Sequence, residues 1–143
     1  MWDMGSARRR GEVMKENAGK RSYRDLEIYR LAHQLGVDIH KFSLSLPKYE
    51  LYESGSQLRK ASKSISANLV EGYGRRRYKA EFIRFLVYSH SSCNETIEWL
   101  EYIADTYAEL KGTADLHLKK LDVLGRKINR FISAVDKGHI MPE

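Results

Sequence analysis

Between Leu26 and Phe42 the apolar residues Ile28, Leu31, Ala32, Leu35, Ile39 and Phe42 recur at three- and four-residue intervals, with polar side chains between them. That spacing places them on one face of an amphipathic helix packed on one side. It predicts a first helix from about Asp25 to Leu44, stopped by Pro47, because proline cannot continue a helical ladder. After a link through Lys48–Ser54, a second helix carries Leu58, Ala61, Ile65 and Leu69 inward and points Arg59, Lys60 and Lys63 away. Gly72 reads as its stop, since glycine tolerates the left-handed backbone that closes many helices.

A third helix is predicted from about Tyr78 to Leu110. Phe82, Phe85, Leu86 and Ser89 form its inner stripe, continued by Cys93, Leu100, Ile103 and Tyr107. Ile83, Val87 and Tyr88 extend apolar surface around the other sides, and Trp99 and Tyr102 lie beside an acidic row of Glu98, Glu101, Asp105 and Glu109. A helix apolar most of the way round needs a second partner, so Ile83, Val87, Tyr88, Trp99 and Tyr102 are the candidate oligomer interface. Gly112 punctuates the next turn, and a fourth helix presents Leu121, Leu124, Ile128, Phe131 and Val135. Four such helices with short links predict an all-α, antiparallel up-and-down bundle over residues 22–137. Residues 1–21, glycine-bearing and rich in charge, read as a flexible basic arm, and 138–143 as a short tail.

Charge changes this picture by its location. The chain carries a net charge of +6, and residues 59–84 concentrate the bases Arg59, Lys60, Lys63, Arg75, Arg76, Arg77, Lys79 and Arg84 against only Glu71 and Glu81. The arm adds Arg8, Arg9, Arg10, Lys15, Lys20 and Arg21. A weakly acidic body with a basic loop region and a basic arm attracts polyanions. Arg59, Lys60, Lys63, Arg75, Arg76, Arg77 and Lys79 are therefore the candidate nucleic-acid ligands. The opposing reading is a solvated basic face that binds nothing.

Candidate chemistry is sparse. His33 and His40 share an outer helical face, but seven residues of helix separate them by about 10 Å, too far to ligate one metal ion. His90 and Cys93 have a ligand-like spacing without a third donor beside them, so Cys93 reads as a small core residue. Glu71 near Arg75–Arg77 is a lone carboxylate, which provides neither a metal pair nor an acid–base pair. Gly72-Tyr73-Gly74 lacks the spacing and the Lys-Ser/Thr of a phosphate loop. The expectation is a protein without catalytic residues, metal or cofactor. No apolar run approaches the roughly 20 residues that span a bilayer, and the lone Cys93 suits a reducing compartment, so a cytoplasmic location is expected.

Tyr23-Arg24-Asp25-Leu26, Leu46-Pro47 followed by Glu50, Gln57-Leu58-Arg59, Ser64-Ile65-Ser66-Ala67-Asn68, Glu71-Gly72-Tyr73-Gly74-Arg75 and Glu81-Phe82-Phe85-Leu86 occur in this order. On these pieces the chain, from Tyr23 to about Val135, resembles the four-helix-bundle proteins encoded in intervening sequences of bacterial large-subunit ribosomal RNA genes. It departs from their pattern at Ser91 and Thr96. The resemblance implies a ring-shaped homopentamer. Distant similarity to accessory proteins of diversity-generating retroelements implies a nucleic-acid-binding role in support of a reverse transcriptase. Asn68, Glu71, Gly72 and Gly74 then form a recurring motif, for which helix-end hydrogen bonding is the structural alternative. Two other classes remain: a protein-binding scaffold using Trp99, Tyr102 and the acidic row, and a hydrolase assembled across subunits.

Overall fold

The computed structural model describes residues 22–138. The predicted arm, 1–21, and residues 139–143 of the predicted tail lie outside the described residues. Four helices follow in order: α1 (Glu27–Ser43), α2 (Ser54–Gly74), α3 (Lys79–Thr106) and α4 (Lys111–Asp136). Each packs on its neighbours in sequence, and α1 closes the bundle against α4. This is the expected antiparallel four-helix bundle. At 28 residues, α3 is about 42 Å long and sets the long dimension.

The helical periods select the core. Ile28, Ala32, Leu35 and Ile39 of α1 meet Leu58, Ile65 and Leu69 of α2, Phe82, Leu86 and Leu100 of α3, and Leu121, Leu124 and Ile128 of α4. Each fully buried large side chain contributes about 1.5–3 kcal/mol. Buried polar atoms are tied across helices: Ser89 Oγ donates to the Ile65 carbonyl at 2.7 Å, and Cys93 Sγ to that of Leu121 at 3.4 Å. Burial, and then Asp122, pushes the Cys93 thiol up to about 11. Cys93 is thus a protonated core group. Among the described residues no helix is long and apolar enough to cross a membrane.

Several boundaries differ from expectation for local reasons. The chain before α1 forms a 3-10 turn, Tyr23–Asp25, closed by a capping box in which Ser22 Oγ accepts from Arg24 N and Asp25 accepts from Ser22 N. Pro47 does not itself end α1, which stops at Ser43; Ser43 and Ser45 hydroxyls donate to the His40 and Phe42 carbonyls of the last turn. The α3–α4 break falls at Tyr107 and the 3-10 turn Ala108–Leu110, so Gly112 is inside α4 and not in the link. Tyr107 is fixed there because its hydroxyl donates to the Glu50 carboxylate at 2.7 Å.

His117 of α4 stands half-buried, edge-on to Phe42 of α1 with ring centroids 5.4 Å apart, and its Nδ1 has no hydrogen-bond partner. Burial holds its pKa below the ordinary value, with Asp38 opposing and Lys120 reinforcing the shift. The folded state therefore takes up its proton at lower pH than the unfolded chain does. The stability this contributes is complete above about 6.5, the unfolded value, and is lost as pH falls from there through the folded value. His40, also lowered by burial and then by Lys63 and Arg59, adds the same sign. Melting temperature should drop on mild acidification, and His117→Gln should flatten that drop without abolishing it. An unchanged slope in thermal melts would contradict this assignment.

Candidate nucleic-acid interface

The end of α2 is shaped by how closely it meets α3. A Cβ built on Gly72 would sit 2.9 Å from Phe85 Cβ, while one on Gly74 would meet nothing within 4 Å. Gly72 is buried and helical, and among the described residues only Gly138 has a positive φ. The expectation of a left-handed stop at Gly72 is therefore corrected: the residue is a point of close packing, and α2 continues to Gly74. The chain then reverses through Arg75–Tyr78, with Arg75 N donating to Gly72 O and Tyr78 N to Arg75 O.

This turn collects the arginines, each in a different setting. Arg75 divides between Glu71 at 3.5 Å and Glu81 at 3.3 Å and lies over the Phe85 ring. Arg76 stacks 4.0 Å over the Tyr73 ring and donates to the Tyr73 carbonyl at 2.9 Å. Lys79 Nζ donates to the Asp136 carbonyl at the end of α4. Cations at helix C-termini are favoured by the exposed carbonyls and the dipole, so part of this charge serves the fold. Arg77 is exposed. Among the described residues none of Arg76, Arg77 and Lys79 forms an ion pair with a carboxylate; the acidic side chains nearby, Glu71 and Glu81, are taken by Arg75 and Arg84.

The start of the described chain joins the same end. Tyr23 meets Tyr73 edge-on at 6.5 Å between centroids, and Arg24 lies 4.6 Å over the Tyr23 ring. The bundle thus brings Arg24, next to the basic arm in sequence, to the Arg75–Lys79 turn. Tyr23, Arg24, Tyr73, Tyr78, Arg84 and Phe85 were absent from the sequence-derived site; the Tyr-Arg pairings at 23–24 and 73–76 were the available signal.

Other predicted ligands are elsewhere. Arg59 does not point away: its guanidinium donates to Ser43 Oγ at 2.9 Å and to the Leu51 carbonyl at 2.7 Å, binding α2 to the α1–α2 link. It is a structural residue because the buried Ser43 hydroxyl and the half-buried Leu51 carbonyl need a donor. Lys60 and Lys63 are exposed on the outer face of α2, but Lys63 lies about 18 Å along the helix from Arg75. Asn68 is not at a helix end either; its Nδ2 donates to the Ser64 carbonyl one turn back at 2.9 Å. Glu71 is exposed and pairs with Arg75.

The predicted interface set is dispersed over α3. Ile83 is partly buried against the core, whereas Val87 and Tyr88 are exposed. Trp99 and Tyr102 pair at 5.9 Å between ring centroids near the opposite end. With Glu50, Ser54 and Tyr107 they border an open cleft of about 320 Å³. Hydrogen bonding by the Ser54 side chain, and then by Tyr107, holds the Glu50 carboxyl below the usual range. Helical phase places Ile83 and Val87 toward α4, and Tyr88, Trp99 and Tyr102 toward α2.

The family model for 23S rRNA-intervening sequence proteins matches residues 24–130. The chain belongs to that family. The match takes in all of α1, α2 and α3, most of α4, and the whole Arg75–Lys79 turn of this family member. No curated protein matches the chain significantly. Among the described residues no group of three or more His, Cys, Asp or Glu side chains could hold a metal ion.

Proposed function

We propose that the bundle is a non-catalytic accessory protein that binds RNA or DNA, chiefly through phosphates, at the end formed by the α2–α3 turn. The observation that carries this reading is the convergence of Arg24, Arg76, Arg77 and Lys79, without carboxylate partners among the described residues, at the end where the basic arm joins the bundle. Such a cluster neutralises phosphates without reading base edges. Lys60 and Lys63 extend the positive surface along α2. The family's description, with its link to ribosomal RNA, favours RNA as the first ligand to test. In the retroelement version of this role, the client is a reverse transcriptase.

Fluorescence anisotropy with a mixed-sequence RNA across a salt series tests the proposal. Affinity should fall steeply with salt as condensed counterions cease to drive binding. Replacing Arg76, Arg77 and Lys79 together by glutamine should lower the salt slope by about one unit for each phosphate left without its cation. Absence of binding at low salt, or binding indifferent to salt, would overturn it.

The same reading includes self-association into a closed ring, pentameric on the family resemblance. The exposed Val87, and separately the exposed Tyr102 with Trp99 beside it, support it, because closure covers apolar surface that a monomer leaves wet. Light scattering coupled to size exclusion should report a pentamer mass; a monodisperse monomer would contradict it. The Trp99–Tyr102 cleft with its acidic row favours the scaffold as second reading, in which a protein partner still binds after the arginine cluster is neutralised.

A further inference from the structure

The arginines at this end lie over aromatic rings, which phosphate binding alone does not require. Arg76 covers Tyr73 at 4.0 Å, while Arg75 and Arg84 lie over Phe85 at 4.9 and 5.2 Å. The Arg75 and Arg84 side chains are 48% and 50% exposed and Arg76 is half-buried, so all three keep surface accessible to solvent while held against a ring. Tyr78, in the turn between these stacks, is 65% exposed with no ring partner among the described residues. Lysines would neutralise phosphates equally well as point charges. A planar cation already fixed on a ring offers a preorganised surface for a nucleobase, and losing little further freedom favours binding.

Bases present such faces only when unpaired. In a duplex they are stacked on one another, whereas single strands and loops splay them onto aromatic rings and arginine planes. We propose that this end of the bundle selects single-stranded over double-stranded nucleic acid, with bases stacking on Tyr78 and on the guanidiniums of Arg76 and Arg84. The inference rests on the nucleic-acid reading above and adds the form of the strand.

The test compares the full chain's affinity for a labelled oligouridylate, an oligothymidylate and an RNA duplex of equal length at one moderate salt concentration. Both single strands should bind at least about tenfold more tightly than the duplex, a margin that stacking of one base supplies. Tyr78→Ala should weaken single-strand binding by about tenfold and leave duplex binding and melting temperature unchanged. Arg84→Gln should act in the same direction. Equal affinity for single strands and duplex would overturn this inference while leaving the phosphate reading intact. A single-strand preference that survives both substitutions would likewise overturn the assigned platform. No binding of any form at low salt would overturn the nucleic-acid reading itself.

Discussion

Gly72→Leu should lower stability by about 3 kcal/mol or more, because a larger side chain is forced into a space that is already closed. Even the first added carbon would lie 2.9 Å from Phe85 Cβ and 3.4 Å from the Phe82 ring. Neither neighbour can retreat cheaply: Phe82 is 2% exposed in the core, and Phe85 supports Arg75 and Arg84. Gly74→Ala, two residues on, provides the contrast. It meets nothing within 4 Å and lies in the last turn of α2, so it should gain up to about 1 kcal/mol from helix propensity. In thermal melts each kcal/mol corresponds to roughly 4 °C, and the two variants should move in opposite directions. If Gly72→Leu melts with the wild type, close packing is not the reason for that glycine.

Arg59→Leu should cost about 1–3 kcal/mol, the penalty for leaving a partly buried acceptor without its charged donor. The Leu51 carbonyl loses its 2.7 Å bond, and Ser43, 0% exposed, loses its bond from Arg59. Lys60→Gln, on the exposed face beside it, should change stability by less than about 0.5 kcal/mol. The order should reverse in RNA binding: Lys60→Gln weakens it, and Arg59→Leu leaves it nearly unchanged. Melts and anisotropy on both proteins check this. Equal stability with abolished RNA binding in the Arg59 variant would return that residue to the ligand set.

The bundle was legible because its information is local and periodic. Ile28 through Phe42, Leu58 through Leu69 and Leu121 through Val135 repeat at helical spacing, and burial follows that spacing except at Leu31, which is 37% exposed, and Phe131, which is half-buried. What the pattern could not show was where polar side chains end. Arg59 has the same helical setting in sequence as Lys60, yet its reach across to Ser43 and Leu51 depends on a neighbouring segment. Gly72 illustrates the same limit. A glycine near a helix end suits either a left-handed cap or a close approach, and only the position of Phe85 decides between them. The charge cluster at 75–79 was visible, but its partnership with Tyr23 and Arg24 was not, since that juxtaposition arises when α1 and α2 pack side by side.

Hydrogen exchange read by mass spectrometry, with and without a short single-stranded RNA at low salt, tests the placement of the site most directly. Protection should appear in peptides covering residues 22–26 and 72–84, at the end that carries Arg24, Arg76, Arg77 and Lys79. Peptides around Trp99, Tyr102 and Tyr107 at the opposite end should exchange as before. Protection confined to the Trp99–Tyr107 end, or none anywhere while the RNA is bound, would contradict the account.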